Sequence, residues 1–268
     1  MPRTTRNLIR TAAGLLAAGL LAAVAFAFVA PVEQDNTPRP LPVPSSIELA
    51  AEPSATTVVK APVRRLPEIL SARSDHDLAV FPAPEDSEPA LVLPSRTSFG
   101  SPLVLLVTAV GDGDDDNWVQ VALPGRPNGR TGWVKRSDVQ LHEVLHRVIV
   151  DREAKQLTVS SPDGRELLRT PVAIGEPQNP TPTGRFFLTD KLQSADPNGP
   201  YGPFALGTSA RSDVLTEFAG GDGQVGIHGT NDPSSIGRAA SHGCVRVPNE
   251  VAVQLSEMLA LGTPVEIR

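Results

Sequence analysis

Residues 227–247 read IHGTNDPSSIGRAASHGCVRV and hold the only cysteine of the chain, Cys244, together with two of its five histidines, His228 and His242. A cysteine becomes an effective nucleophile when a histidine or backbone N–H groups stabilise its thiolate below the free pKa of about 8.5. Both aids are within reach here. Gly243 lets the backbone approach a substrate, and the successive amides of His242, Gly243 and Cys244 can face a developing oxyanion if the chain turns at that point. The preceding VGIHG reads as a strand ending at His228, and Gly229 opens a loop that can bring the strand end and the cysteine together. His242, two residues from Cys244, would share its face on an extended strand, so spacing alone leaves both histidines as candidate bases.

A single cysteine excludes an intramolecular disulfide and leaves three roles: inert, intermolecular or reactive. An inert thiol packs like a small hydrophobe, but a structural cysteine accounts for neither the two histidines nor the adjacent glycine. A zinc site of His228, His242 and Cys244 lacks a fourth ligand and any C-x-x-C spacing, so no metal is expected.

Outside this stretch the chain divides by composition. Its 268 residues are 40% apolar, enough for a real core, and the length suggests two domains more readily than one. The formal net charge of −6 gives no support to nucleic-acid binding, which needs a basic surface. Arg3, Arg6 and Arg10 precede an apolar run over residues 12–30, the layout of a secretory signal or membrane anchor. The length of the run favours an uncleaved anchor, with Ala25-Phe26-Ala27 as the alternative cleavage site. Either way the positive flank stays inside and the remainder faces the extracytoplasmic side. The 27 prolines are about twice the ~5% average usage, and residues 31–70, including PRPLPVP, are expected to be an extended spacer. Such a segment reaches on the order of 100 Å at ~3.1 Å per residue.

Residues 71–142 carry DLAVF, ALVL, LVLLVTAV, NWVQVAL and TGWVK, separated by PAPED, GDGDDD and PGRPNG: short strands and turns, the signature of a small β-barrel. The pair WVQV and GWVK, joined by PGRPNGRT, resembles the end of a bacterial SH3-like domain, a module often attached to cell-wall enzymes. Trp118 and Trp133 are expected as core or sheet-face residues. Asp112, Asp114 and Asp116 fit the first ligand positions of an EF-hand loop, but Asn117 and Leu123 fail the later ones, so a solvated turn is the reading. From residue 143 onward, LHRVIVD, KQLTVSS, ELLRTPVAIG, GRFFLTDK, PFALGTS and VGIHG read as strands, with SPDG and NPTPTG as turns. Asn249 is expected to cap a helix burying Val251, Leu255, Met258 and Leu259, and Gly262 to end it before PVEIR. GDGQVG at 221–226 matches G-x-G-x-x-G but opens no helix, so a turn is expected. The fold class is therefore mainly β, a sheet-rich domain at 143–268 with one C-terminal helix behind a small barrel.

HGTNDPSSIGRAASHGCVRVPN resembles the active-site motif of the L,D-transpeptidase catalytic domain, in which a histidine-glycine strand end precedes a serine-histidine-glycine-cysteine loop. The resemblance extends through the helix and GTPVEI and back through PTPTG to about Leu145. It implies a cofactor-free enzyme of peptidoglycan metabolism. Cys244 would attack the peptide carbonyl preceding the terminal D-alanine of a tetrapeptide stem and form a thioester, while His228 protonates the departing amine. His228 would then deprotonate the acceptor amine of a second stem, giving a cross-link between two diamino acid residues. The resemblance thus selects His228 as the base. His242, Gly243, Ser241 and Gly229 would support the loop, the thiolate or the oxyanion, and Arg246 would hold a substrate carboxylate or serve as a structural salt-bridge residue.

Two alternatives stand beside this reading. An L,D-carboxypeptidase would hydrolyse the same thioester with water. A non-catalytic wall-binding protein would work through the SH3-like module and should lack the cysteine or histidine, yet both are present. Expected partners are peptidoglycan stem peptides and, through residues 1–30, the membrane. The expected location is the extracytoplasmic face of the bacterial cytoplasmic membrane, or the wall or periplasm if the segment is cleaved. Oligomeric state is not fixed by the sequence.

Overall fold

The computed structural model describes residues 69–268 apart from 112–116 and 219, together with a two-residue strand β1 (Phe28–Val29). The expected anchor and spacer, β1 and residues 69 and 70 aside, and the acidic-loop aspartates lie outside the described residues. Among the described residues no helix is long and apolar enough to cross a membrane.

The amino-terminal part contains β2 (Leu70–Ser74), β3 (Leu78–Val80), β4 (Leu91–Leu93), β5 (Leu103–Val110), β6 (Trp118–Ala122), β7 (Thr131–Lys135) and β8 (Gln140–Glu143). An antiparallel sheet runs in the order β7-β6-β5-β2-β8, and β3 and β4 form a separate hairpin. Alternation decides which face is inside. In WVQVA, Val119 and Val121 are fully buried while Trp118, Gln120 and Ala122 are half-buried. Trp118 packs edge-on against Phe81, with ring centroids 5.1 Å apart. β2 (LSARS) and β8 (QLHE) are too polar to stand out in the sequence, and each is recruited by pairing, β2 to both β5 and β8.

The carboxyl-terminal part contains β9 (Arg147–Asp151), β10 (Gln156–Ser160), β11 (Glu166–Pro171), β12 (Ile174–Gly175), β13 (Gly184–Ser194), β14 (Phe204–Arg211), β15 (Gln224–His228), β16 (Ala239–Ser241), β17 (Val245–Arg246), helix α1 (Asn249–Met258) and β18 (Pro264–Ile267). Its main sheet runs β11-β10-β9-β18-β13-β14-β15-β17, and β1 pairs with the end of β13. The long β13 joins the two halves: Gly184 to Phe187 pair with β18, and Leu188 to Gln193 pair with β14 across a register shift at Leu188 and Asp190. One face carries a core of Val148, Leu157, Leu188, Leu206, Ile227 and Val245, closed by Leu255 of α1 and by Leu259. GDGQVG leads into β15 and no helix, as its context predicts.

The helix differs from expectation at its start. Its N-cap is Pro248, without a side-chain cap hydrogen bond, and Asn249 is the first helical residue. The Asn249 side chain is used elsewhere, its Oδ1 accepting from the Thr230 amide at 2.7 Å.

The two parts share an interface. Phe187 of β13, fully buried, belongs to the amino-terminal core with Leu78, Leu105 and Val134. Thr97 Oγ1 donates to Asp190 Oδ1 at 2.5 Å, and a Cβ on Gly262 would lie 2.5 Å from Ser71 Cβ.

Candidate active site

After β15 the chain crosses over through a short 3-10 turn (Pro233–Ser235) and β16, then returns as β17 parallel to β15. The register pairs Ile227 with Val245 and His228 with Arg246. Ile227 and Val245 point into the core. By the two-residue period of a strand, His228 and Arg246 therefore lie on the opposite face. Cys244 immediately precedes β17 and lies beside Gly226, whose amide donates to its Sγ at 3.4 Å. The structure thus brings His228, Cys244 and Arg246 to one end of two adjacent strands.

The loop before Cys244 is fixed by small side chains. Gly243 has φ +120°, a conformation suited to glycine. Ser241 Oγ donates to Cys244 O at 2.5 Å and accepts from the Gly243 amide at 3.2 Å. The Gly243 amide thereby donates within the loop, so Gly243 supports the turn before Cys244. Thr181, buried in the PTPTG segment, accepts from the Gly175 amide and donates to Gly243 O, both at 2.8 Å. Behind it, Arg152 Nη1 donates to Thr181 O at 2.7 Å. Parallel pairing of β12 with β16 holds the two segments side by side.

His228 is buried, and its Nδ1 lies 2.6 Å from Gly229 O. A carbonyl only accepts, so Nδ1 carries the proton and Nε2 is the basic nitrogen. Burial lowers the imidazole to about 4; the Gly229 carbonyl opposes this and Arg246 adds to it. Burial pushes the Cys244 thiol up, against smaller lowering effects of the Gly226 amide and Arg246. The resting pair is a thiol and a neutral imidazole. Gly229 admits close packing, since a Cβ there would fall 2.3 Å from Asn249 Oδ1.

Arg246 is half-buried and forms no ion pair with any described residue. Its backbone is bridged to Ala173 by two hydrogen bonds of 2.9 Å. His242 is exposed and stacks on Phe218, with centroids 5.3 Å apart and planes at 29°. Two contributors escaped the reading of the sequence. Tyr201, the only tyrosine, packs its ring 4.7 Å from that of His228. Its hydroxyl is pushed up to about 12, chiefly by burial and then by Cys244, with Arg246 opposing. Thr181 was visible only as part of a turn motif, and its hydroxyl's target is 62 residues away in the chain.

Residues 145–267 match the YkuD family, the L,D-transpeptidase catalytic domain. YkuD of Bacillus subtilis (strain 168), named as an L,D-transpeptidase, is 31% identical over 147 residues, 55% of this chain and 73% of that protein. YqjB of the same organism, named likewise, is 32% identical over 131 residues, 45% of this chain and 69% of that protein. The crystal structure of L,D-transpeptidase 3 from Mycobacterium tuberculosis aligns over 75% of this chain and 98% of its own, at 15% identity and a TM-score of 0.39. The chain belongs to the L,D-transpeptidase family.

Proposed function

We propose that the protein is a cysteine-dependent peptidoglycan L,D-transpeptidase. The observation that carries this reading is the placement of His228 and Cys244 at one end of the parallel β15–β17 pair, with Arg246 in register beside His228. His228 takes the thiol proton as Cys244 Sγ attacks the peptide carbonyl before the terminal D-alanine of a tetrapeptide stem. The C–N bond breaks, His228 returns the proton to the departing amine, and a thioester remains. The amine of a diamino acid on a second stem then attacks the thioester, gives its proton to His228, and the thiol is restored. Arg246 holds a carboxylate of the donor, consistent with its forming no ion pair among the described residues.

Residues 71–142 act in this reading as an SH3-like module on the wall polymer, and residues 1–30 as a membrane anchor that, with the 31–70 spacer, places the enzyme on the extracytoplasmic face. Incubating the full chain with a disaccharide-tetrapeptide and weighing the products tests the chemistry. A dimer lighter by one D-alanine supports transfer, whereas loss of D-alanine without a dimer, with acceptor in excess, identifies a hydrolase.

A further inference from the structure

The geometry points to Arg126, in the amino-terminal part, as a positioning residue for the Cys244 site, acting through the segment 212–223 that carries Phe218. This rests on the proposed function and adds to it a control of donor access by the amino-terminal module.

Arg126 sits in the PGRPNG turn between β6 and β7. Arg126 is exposed, yet its guanidinium is engaged by three backbone carbonyls of the other part. Nη1 donates to Asp222 O at 2.6 Å, and Nη2 donates to Ser212 O at 2.8 Å and Leu215 O at 2.9 Å. One planar, always-charged fork thereby ties together both ends of the connection between β14 and β15. Asn128 seals the same junction: its Nδ2 donates to Arg211 O at 2.8 Å and its Oδ1 accepts from the Arg211 amide at 2.9 Å. The receiving segment is shaped for the contact. Gly223 has φ +74°, and a Cβ there would stand 1.9 Å from Leu215 O and 2.9 Å from Arg126 Nη2.

At the far end of the segment, Phe218 and Gly221 exchange two backbone hydrogen bonds of 3.0 and 2.9 Å. The Phe218 ring, 42% exposed, lies against the exposed imidazole of His242, two residues before Cys244. A phenyl left in water gains little from the fold itself, and its stack on His242 sets an aromatic wall against the loop that leads into Cys244. Arg126 sets where that wall stands, because the segment is held at its base by charge-assisted bonds, which are roughly twice as strong as neutral ones. The donor class that fits is a peptide whose aliphatic side chains lie along the wall while its carbonyl meets Cys244.

Arg126→Ala, Arg126→Lys, Phe218→Ala and the Arg126→Ala/Phe218→Ala pair test this in the full chain. Kinetics are measured on soluble tetrapeptide donor, together with the ratio of Cys244 alkylation rates by a bulky maleimide and by iodoacetamide, and the melting temperature. Cys244 is the only thiol in the chain. Arg126→Ala should raise KM by about five- to tenfold with kcat changed less than about twofold, and should raise the alkylation ratio by about threefold or more. Lysine, reaching one carbonyl at a time, should rescue in part. Phe218→Ala should reproduce both effects, and the double variant should be no worse than either single one. A lowered melting temperature with KM and alkylation ratio unmoved, or independent multiplication of the two substitutions, overturns the proposal. If no stem peptide is turned over, the proposed function fails, while the alkylation ratio and its double-variant cycle still decide the positioning role.

Discussion

The Gly226 amide donates to the Cys244 sulfur across 3.4 Å, so the proposed nucleophile is held against strand β15, which ends at its proposed base, His228. This single bond favours a thiolate, yet burial outweighs it and keeps the thiol protonated at rest. The site is consequently primed by geometry, with proton transfer left to the moment of substrate binding.

Thiol reactivity should follow from that balance. Because the thiol is pushed up and His228 is held near 4, the thiolate is a minority species throughout the neutral range. Iodoacetamide alkylation of Cys244 should keep rising with pH from 6 to 9 without a plateau. A plateau reached below pH 7 would mean a resting thiolate–imidazolium pair and refute the neutral one.

Substitution should separate the two histidines. Cys244→Ala should abolish both D-alanine release and cross-linking with an unchanged circular dichroism spectrum. His228→Ala should reduce turnover by the ~10²- to 10⁴-fold common for acid–base residues, and His242→Ala, at an exposed stacked ring, by less. A larger loss at His242 would exchange their roles.

Stability should carry the signature of the buried imidazole. His228 has a folded pKa of about 4 and an ordinary value of 6.5. Between these values the unfolded chain binds the extra proton, so stability is full above pH 6.5 and falls as pH drops toward 4. The loss is on the order of 3 kcal/mol. Urea unfolding of the wild type and of His228→Gln should show the wild type losing more stability over this window. Parallel curves would place the titration elsewhere.

Removal of residues 1–142 should expose Phe187, which lies fully buried in the amino-terminal core. The isolated 143–268 fragment is expected to associate, and Phe187→Ser to restore a monomer, as read by light scattering. In the full chain Phe187→Ala should cost about 3–5 kcal/mol, in the range of buried Phe truncations. A monomeric, fully stable wild-type fragment would show that the two parts are energetically independent.

Most of the longer strands of both parts, the C-terminal helix and the motif around Cys244 are legible in the sequence because each rests on local order. Alternating valines define β6, the spacing of Val251, Leu255 and Met258 defines α1, and histidine, glycine and cysteine stand within one short stretch. The chemistry of the site follows from the same residues together with the family resemblance. What the sequence leaves open is every contact between residues distant in the chain. Asn249 looks like a cap, but the fold brings the Thr230 amide to its side chain. LSARS shows no strand pattern and becomes β2 through its neighbours. PGRPNG reads only as a turn, and where Arg126 would reach was decided by the docking of two sheets. Thr181 likewise enters the site only when β12 and β16 are paired, and Tyr201 only when the chain before β14 meets the end of β15. Period and composition record the choice between inside and outside along one element. Side-chain hydrogen bonds to remote backbone leave no such period, since any carbonyl can accept them, and only the tertiary structure selects which one does.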